Sequence, residues 1–239
     1  HVYKCKGGMV NKTINKRLEC LSAFIRSFYK DVEKAQLVFE ARVKQNDRNR
    51  ESIRLDKDGI KDLYCRQLKE NSNSVIRDYF VFLCLTGLRF GDFVSLNKDN
   101  FAIGKDGTTM LSLYTQKTNI RIEIQLTMQA MEIAERYDYH FDGYTNQAFN
   151  RSLKDLFKNE GLFEDEIIVY REVLNKKPQP IKLPRRVKIS AHSARRTFIS
   201  TLIEEGVQPI QVMQMVGHTK LSTLQIYIDK FSPKAGQAI

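Results

Sequence analysis

A histidine and an arginine, His192 and Arg195, stand three residues apart where a helical apolar pattern begins. On a helix this spacing puts both side chains on one face, and the first turn attracts anions through its backbone N–H groups and its dipole. Phe198, Ile199 and Leu202 supply the buried side of the same helix. Because the dipole disfavours cations there unless an anion binds, the pair indicates an anion site; a solvated pair is the alternative.

A second histidine and a tyrosine follow near the end of the sequence. His218 comes after a glycine, and Tyr227 stands nine residues later in a predicted helix. Leu221, Leu224 and Ile228 form the predicted packing stripe, which leaves Tyr227 one position off it. A tyrosine is a poor nucleophile at its ordinary pKa of about 10, so nucleophilic chemistry needs cations and a base around it. The alternative is a half-buried tyrosine that only packs.

Two further basic residues lie upstream. Arg89 follows Gly87, which allows a sharp break after an apolar helix, and a guanidinium at the start of the next helix can bind a phosphate bidentately. Lys117, in the segment Gln116-Lys117-Thr118, lies on a predicted hairpin turn, from which it can reach a DNA groove and protonate a leaving oxygen. Taken alone, each is better explained without a function: Arg89 as a surface arginine at a helix junction and Lys117 as a solvated turn lysine.

The charge balance favours a polyanionic partner. The chain has 239 residues, with 39 Lys and Arg against 28 Asp and Glu and a net charge of +11. Such an excess attracts nucleic acid, because Lys and Arg that neutralise phosphates supply most of the affinity of DNA-binding proteins. A merely basic protein is the alternative.

Cysteine usage and hydropathy restrict the setting. The cysteines at positions 5, 20, 65 and 84 form no C-x-x-C pair and have no nearby His cluster, so we expect no zinc site, no disulfides and a reducing cytoplasm. The longest apolar run, 79–85, is far shorter than the about 20 residues that span a bilayer, and no signal peptide is visible. Since the sequence begins at His1 rather than Met, we expect a fragment.

These side chains must be positioned by a mainly α-helical α+β fold. Apolar residues recur at three- and four-residue steps over 12–44, which predicts helix, and the polar stretch 44–50 is typical of a linker. Asp56 is predicted to cap a helix, with Leu55 stapled to Ile60. The segment 74–85 is apolar nearly all round and predicts a central core helix.

A change of period predicts a small antiparallel sheet after that helix. Segments 101–103, 110–114 and 120–126 are β-rich and separated by turn residues, which predicts a three-stranded meander. Helical periodicity returns over 127–137 and 145–159.

The C-terminal third is predicted to contain a second β pair and three helices. The β-like segments 167–173 and 187–189 bracket a loop rich in Pro, Lys and Arg. The helices are predicted at 192–205, 208–216 and 222–229.

In this order the motifs resemble the active-site signature of the tyrosine recombinase family, which includes phage-type and conjugative-transposon integrases. The resemblance covers about residues 55–239. Two positions depart from the family pattern, although neither is a reacting group: Arg196 stands where many members have His, and Asp92 where Glu is common. The matching residues are Thr86-Gly87-Leu88-Arg89, Lys117, His192-Ser193-Ala194-Arg195, Gly217-His218 and Tyr227.

The resemblance implies a domain division and a metal-free, cofactor-free reaction. Residues 49–239 would form the catalytic domain, and residues 1–48 the last part of a helical core-binding domain with its linker. Tyr227 would attack a DNA phosphodiester, giving a 3′-phosphotyrosine and a free 5′-hydroxyl. The 5′-hydroxyl of another strand would then reverse the step.

The family's residue roles carry over to the matching positions. Arg89 and Arg195 would stabilise the non-bridging oxygens of the pentavalent phosphate, and His218 would donate a hydrogen bond to them. Lys117 would protonate the leaving 5′-oxygen, and His192 would assist proton removal from Tyr227.

The resemblance also implies the partners. We expect a cytoplasmic enzyme for integration or excision of a mobile element, acting on double-stranded DNA as a homo-tetramer over two synapsed sites, with accessory DNA-bending or excision factors and no membrane. The basic loop from Lys176 to Lys188 is predicted to follow the DNA backbone. The alternatives for this loop are that it is only solvated or that it contacts another subunit. The residues predicted to follow the DNA backbone are Lys176, Lys177, Arg185, Arg186, Lys188 and Arg196.

Three other functions remain open. A non-catalytic DNA-binding regulator is the main alternative, because residues 197–228 resemble a helix-turn-helix, but it leaves Arg89 and Lys117 unexplained. A type IB topoisomerase shares the chemistry without exchanging strands between duplexes. A metal-dependent nuclease ranks last, since the sequence has no clustered carboxylates for two metals.

Overall fold

The computed structural model describes residues 11–43, 53–69, 74–104, 107–171 and 178–231. The helices are α1 (Asn11–Phe24), α2 (Val32–Glu40), α3 (Lys57–Cys65), α4 (Ser74–Thr86), α5 (Phe90–Val94), α6 (Met128–Arg136), α7 (Asn146–Asn159), α8 (Ala191–Glu204), α9 (Pro209–Val216) and α10 (Gln225–Phe231). The strands are β1 (Phe101–Ile103), β2 (Thr109–Tyr114), β3 (Arg121–Gln125), β4 (Glu166–Arg171) and β5 (Gln179–Pro184).

The chain separates into two compact units. The smaller unit comprises residues 1–51 and 165–184, and the larger unit comprises 52–164 and 185–239. The predicted linker over 44–50 lies outside the described residues. The assignment of residues 1–48 to a core-binding domain stays a prediction.

The N-terminal part of the smaller unit is helical, as predicted, with a break that the periodicity does not indicate. A π-helical turn, Ile25–Tyr29, follows α1, and the backbone turns at Lys30, which has a φ of 54°. Ser22 Oγ donates to the Ala35 carbonyl at 2.7 Å, so α1 meets α2 through a small polar side chain. The apolar side chains of Leu21 and Phe24 are exposed.

The hairpin of the smaller unit corrects one sequence prediction. Its strands are β4 and β5, whereas residues 185–187, at the start of the predicted strand 187–189, form a 3-10 turn. Pro180 and Pro184 lie within β5, at positions paired with Tyr170 and Glu166. Prolines four residues apart in a two-stranded hairpin face the same edge and need not interrupt the ladder. The prediction was wrong because it treated every proline there as a loop residue.

Helix α4 is the centre of the larger unit, as predicted. Its middle turns are buried all round, including Phe80, Phe82 and Leu83, and α8 packs along it. The predicted cap is confirmed next to it, where the Asp56 carboxylate accepts a hydrogen bond from Gly59 N at 2.7 Å. The chain before α3 is tied to α8, because Leu55 N donates to Thr197 Oγ1 at 2.9 Å.

The predicted three-stranded meander is confirmed, with order β1-β2-β3 and antiparallel pairing. Leu111 pairs with Ile124 and Leu113 with Ile122, and all four side chains face the core. The alternation of buried and exposed residues along β3 leaves the opposite face polar, as expected for a sheet covered on one side.

The helices that follow the sheet lie close to their predicted positions. Thr145 caps α7 by accepting from Ala148 N at 3.2 Å. Asn150 on α7 accepts a hydrogen bond from Ala191 N at 2.8 Å, which fixes the first turn of α8. Within the described ranges, no helix combines the length and the apolar character needed to cross a membrane.

Candidate active site

Arg89 stands at the corner between α4 and α5. Gly87 makes this corner with a φ of +64°, and a Cβ there would lie 2.3 Å from the Phe198 ring. The Arg89 guanidinium donates to the Gly217 carbonyl at 3.2 Å. Its Nη1 lies 3.8 Å from Asp92 Oδ2 and has no hydrogen-bond partner within the described protein, which leaves a buried donor for a ligand.

Arg195 is only 4% exposed and projects from the first turns of α8. It donates to the Gly87 carbonyl at 2.8 Å and to the Val216 carbonyl, so it joins the α4–α5 corner to the end of α9. Burial, followed by the nearby Arg89, lowers its pKa to about 10, while Asp92 opposes that shift. Arg195 therefore stays positively charged at neutral pH in a site with little compensating negative charge.

The Gly217-His218 pair ends α9. Gly217 has a φ of +63°, and a Cβ there would lie 3.2 Å from both Thr115 and Ile122 of the sheet region. Burial lowers the pKa of His218 to about 4, with further contributions from Arg195 and Arg89. At neutral pH this imidazole is neutral, and its buried Nδ1 has no partner within the described residues.

His192 lies in the first turn of α8 and has an exposed side chain. Ser190 and Ser193 form a capping box at this helix start. Desolvation, followed by the charges of Arg196, Arg195 and Arg89, lowers the pKa of His192. A cavity of about 240 Å³ opens there, with Arg89, His192 and Arg195 in its lining.

Tyr227 is more buried than its sequence position indicates. The expected stripe placed Leu221 inside and Tyr227 off the packing face, but Leu221 is 50% exposed and Tyr227 only 9%. Leu221 is exposed because residues 221–223 form a 3-10 turn outside α10, so its angular position along one α-helix does not apply. Tyr227 is buried because it lies three residues after Leu224 and shares its buried face. Burial raises the pKa of Tyr227, and Arg196 and Arg195 oppose that shift.

Lys117 lies on the turn between β2 and β3, as predicted, and its side chain is exposed. Two hydrogen bonds attach this turn to α5, the helix that follows Arg89. Asp92 Oδ1 accepts from Gln116 N at 2.8 Å, and Gln116 Nε2 donates to the Gly91 carbonyl at 3.2 Å. Asp92 is 2% exposed. A carboxylate that the sequence marks only as a departure from the family pattern thus links Lys117's turn to Arg89.

Five of the six predicted catalytic residues form one electrostatic cluster. Charges on Arg89, Arg195 and His192 each shift the pKa of His218, and Arg195 and Tyr227 interact with each other. Lys117 lies on the attached turn. The cluster has an excess of positive charge, so it can bind an anion such as phosphate. The phenol of Tyr227 belongs to the same cluster.

Sequence reasoning missed the residues that support this cluster. Asn146 lines the 240 Å³ cavity, and Asn150 fixes the start of α8. Both look like ordinary polar residues of an amphipathic helix, and no spacing links them to residues about 40 positions later. The sequence does point to Asp92, because it lies three residues after Arg89. Its hydrogen bond with Gln116, however, depends on the tertiary fold.

The residues predicted to follow DNA lie in different environments. Lys176 and Lys177 fall outside the described residues. Arg186 pairs with Glu164 at 2.6 Å, Arg185 lies over the Phe163 ring, and Lys188 is exposed. Arg196 is half-buried beside Tyr227. Their contact with DNA stays a prediction.

The sequence matches a known protein family over most of its length. Residues 54–233, about three quarters of the chain, match the sequence model of the phage integrase family. The chain belongs to this family. It is similar to the tyrosine recombinase XerD of Listeria monocytogenes, with 25% identity over 164 residues that cover 61% of this chain and 46% of the relative. The chain thus spans about half the length of such relatives.

Solved structures of the family share the fold. A lambda integrase dimer bound to a core site aligns with a TM-score of 0.59 and 17% identity, covering 91% of this chain and 58% of that one. The XerH recombinase in its post-cleavage complex with a palindromic difH substrate gives a TM-score of 0.56 and 12% identity. That alignment covers 96% of this chain and 71% of the XerH chain. The Tn1549 transposon integrase with circular intermediate DNA aligns with a TM-score of 0.54 and 15% identity. That alignment covers 92% of this chain and 75% of the integrase chain.

Proposed function

We propose that this chain is the catalytic part of a site-specific DNA recombinase that cleaves and rejoins strands through Tyr227. One observation carries the proposal: the buried Tyr227 lies close enough to Arg195 and Arg196 for their charges to act on its phenol, in a cluster with a cavity lined by Arg89 and His192. A phosphodiester is an anion that these cations can bind and that the tyrosine can attack. Family membership supports that substrate.

In the first step, Tyr227 Oη attacks the phosphorus and the bond to the 5′-oxygen breaks. The phenol stays protonated at neutral pH because burial raises its pKa, so it must lose a proton as it attacks. His192 is neutral at that pH, because its own pKa is lowered, and it is the base available on α8. Lys117 supplies the proton that the 5′-oxygen takes up.

The pentavalent phosphate is stabilised by donors that are already in place. Arg89 Nη1 and His218 Nδ1 are buried without partners in the described protein, and Arg195 keeps its charge. The neutral His218 ring donates from Nδ1 in the tautomer that carries its proton on that nitrogen. Each donor aimed at the non-bridging oxygens contributes about 100- to 1,000-fold in rate in comparable sites. In the reverse step a 5′-hydroxyl attacks the tyrosyl phosphate, so the energy of the phosphodiester bond is conserved.

The biological setting follows the same reasoning. The relatives named above include a transposon integrase and recombinases solved with DNA, which supports double-stranded DNA as the substrate and integration or excision of a mobile element as the role. We propose four copies on two synapsed sites, with accessory DNA-bending factors. A cytoplasmic location is consistent with the free thiols of Cys20, Cys65 and Cys84.

The test uses a nicked suicide DNA substrate in EDTA, followed by a denaturing gel. We expect a covalent protein–DNA adduct that Tyr227→Phe abolishes while duplex binding survives. Tyr114→Phe, at an exposed tyrosine on β2, is the matched control and should leave the adduct intact. Full binding to the cognate site with no adduct would support a non-catalytic regulator instead.

A second assay separates recombination from topoisomerase activity. Two duplexes with different labels are incubated with the wild-type protein, and joined products are identified by size. A recombinase exchanges strands between the duplexes, whereas a topoisomerase reseals each duplex with itself.

A further inference from the structure

We propose that Asn146 is a further substrate-binding residue, and that Asn150 positions it. The side-chain amide of Asn146 donates a hydrogen bond to a non-bridging oxygen of the phosphate in the cavity lined by Arg89 and Arg195. The inference rests on the proposed function, because it takes that cavity as the phosphate site. Neither asparagine belongs to the motifs that resemble the family's signature.

Two backbone groups fix the orientation of the Asn150 amide. The backbone N–H of Ala191 can only donate, and it donates to Asn150 at 2.8 Å, so the receiving atom is Oδ1. The backbone carbonyl of Asn146 can only accept, and it lies 2.7 Å from the other amide atom, which is therefore Nδ2. The Asn150 amide thus points its oxygen to the start of α8 and its nitrogen to the start of α7.

The orientation of Asn150 in turn fixes that of the Asn146 side chain. Asn150 Nδ2 lies 2.7 Å from one side-chain amide atom of Asn146, which must be the acceptor Oδ1, since two NH2 groups cannot share a hydrogen bond. The remaining amide atom of Asn146 is Nδ2, which has two N–H groups and no partner among the residues that the structure describes. The free end of Asn146 is therefore a donor.

Asn146 lies in the lining of the proposed phosphate cavity. It shares this cavity of about 240 Å³ with Arg89 and Arg195. The oxygens of a phosphate each accept more than one hydrogen bond, so a third donor can join the two guanidinium groups. Because the amide is neutral, it stabilises the bound phosphate without adding to the excess of positive charge.

Asn146 can be replaced without releasing the start of α8. Its side chain is exposed, and alanine is compatible with the first turn of a helix. Asn150 Nδ2 also donates to the backbone carbonyl of residue 146, which every substitution keeps. The hydrogen bond from Ala191 N to Asn150 therefore remains in Asn146→Ala, and the change removes only the side-chain amide.

DNA affinity of the Tyr227→Phe protein tests the contact without cleavage. The probe is a short duplex selected for binding by the wild-type protein, with a methylphosphonate at one phosphate at a time and the two diastereomers separated. We expect Asn146→Ala to weaken binding of the unmodified duplex by about tenfold. One methylphosphonate diastereomer, at one position, lacks the oxygen that accepts from Asn146, so that duplex should show no difference between variant and parent.

The same position should also reduce the effect of Arg89→Gln, because the two residues bind one phosphate. Asn159→Ala removes an identical, exposed side chain at the far end of α7 and is the matched control, which should leave every affinity unchanged. The proposal is wrong if Asn146→Ala has no effect, if its effect is the same with every duplex, or if its position differs from that of Arg89→Gln.

A double-mutant cycle tests the positioning role of Asn150. Asn150→Asp keeps an acceptor for Ala191 N but has no N–H for Asn146 Oδ1. We expect it to weaken binding about as much as Asn146→Ala does, and to have little further effect when residue 146 is already alanine. A merely structural role, or the added negative charge alone, would weaken binding equally in both backgrounds and would contradict the positioning role.

A second measurement covers the case in which Asn146→Ala does not fold. In the Tyr227→Phe protein with isotope-labelled asparagine, the side-chain NH2 signals of Asn146 are assigned from Asn146→Asp. They should move on addition of the unmodified duplex, and move less with the methylphosphonate at one position. A shift of the same size with every duplex contradicts the contact.

The functional arm follows adduct formation on bound DNA. We expect Asn146→Ala to slow it by about 10- to 100-fold, because negative charge increases on the non-bridging oxygens as the tyrosine attacks. Unchanged cleavage of bound DNA would contradict a contact with these oxygens. If the wild type forms no adduct, the proposed function fails, while the methylphosphonate comparison still decides the contact of Asn146.

Discussion

Asp92 Oδ1 accepts a hydrogen bond from the backbone nitrogen of Gln116 at 2.8 Å, so one buried carboxylate joins the helix after Arg89 to the turn of Lys117. Asp92 also favours the charged form of Arg195. The carboxylate thus both places the turn of Lys117, the proposed general acid, and balances part of the positive charge.

The Asp92 link predicts a loss in cleavage without a loss in binding. We expect Asp92→Ala to slow adduct formation by about 10- to 100-fold, because the turn of Lys117 loses its attachment. DNA affinity should not fall, since a negative charge has been removed. Asp92→Asn keeps an acceptor and should lose less. Asp99→Ala, at an exposed site, is the control; a loss of affinity that matches the loss of cleavage would argue against this role.

The surroundings of Gly87, at the corner between α4 and α5, predict that Gly→Ala costs more stability there than at Gly161. Gly87 and Gly161 both have a φ of +64°, but their surroundings differ: a Cβ at Gly87 would lie 2.3 to 3.1 Å from Phe198 atoms, whereas one at Gly161 would meet nothing within 4 Å. We expect Gly87→Ala to cost about 3 kcal/mol of unfolding free energy and Gly161→Ala about 1 kcal/mol. Urea denaturation measures both, and equal costs would show that the Phe198 ring moves aside freely.

Two threonines on α8 predict opposite responses to the same change. Thr197 Oγ1 accepts from Leu55 N at 2.9 Å, whereas Thr201 Oγ1 is buried with no partner in the described protein. Thr197→Val leaves a buried N–H unsatisfied and should cost about 1–3 kcal/mol, while Thr201→Val should be neutral or stabilising. Thermal unfolding of the two variants provides the measurement. A destabilised Thr201→Val would reveal a partner for that hydroxyl.

The lowered pKa of His218 predicts that acid destabilises the fold. The unfolded chain binds a proton on His218 as pH falls below about 6.5, but the folded chain does so only near pH 4. The unfolded state therefore takes up more protons in this window, and stability present above pH 6.5 is lost progressively down to about pH 4. His218→Gln should flatten that part of the stability profile. A profile unchanged by the substitution would mean that His218 is not desolvated.

The same histidine predicts that DNA binding takes up protons. A phosphate beside His218 and His192 would raise the pKa of each, reversing the effect of the arginines. Affinity for a short duplex should then increase as pH falls below about 6.5, the ordinary pKa of histidine, and calorimetry in buffers of different ionisation enthalpy should show proton uptake. Proton release, or none, would place the phosphate elsewhere.

Local patterns were enough to predict most of the fold. The cap at Asp56, the apolar helix before Gly87 and the three-stranded meander follow from short-range physics, because capping, burial and turn formation each depend on residues a few positions apart. The strand β5 did not follow, since a proline is compatible with a strand when its edge is unpaired, and the edge is a property of the assembled hairpin.

The candidate site was predictable to a different degree. The residue types and their order identified the cluster, but the positions of Tyr227 and Arg196 relative to each other depend on how α10 packs on α8. The 3-10 turn before α10 takes Leu221 off the packing face of the helix, and no apolar spacing indicates where the α-helix begins. Asp92 and Asn150 act through contacts to residues 24 and 41 positions away in sequence, which a linear pattern does not contain.

Arg195 ties together segments of the chain that are far apart, through the carbonyls of Gly87 and Val216. A chain that has not yet brought these segments together has no arginine in place to meet a phosphate. Under the proposed function, newly made or partly unfolded molecules therefore lack an assembled phosphate site, and strand cleavage is confined to the folded chain.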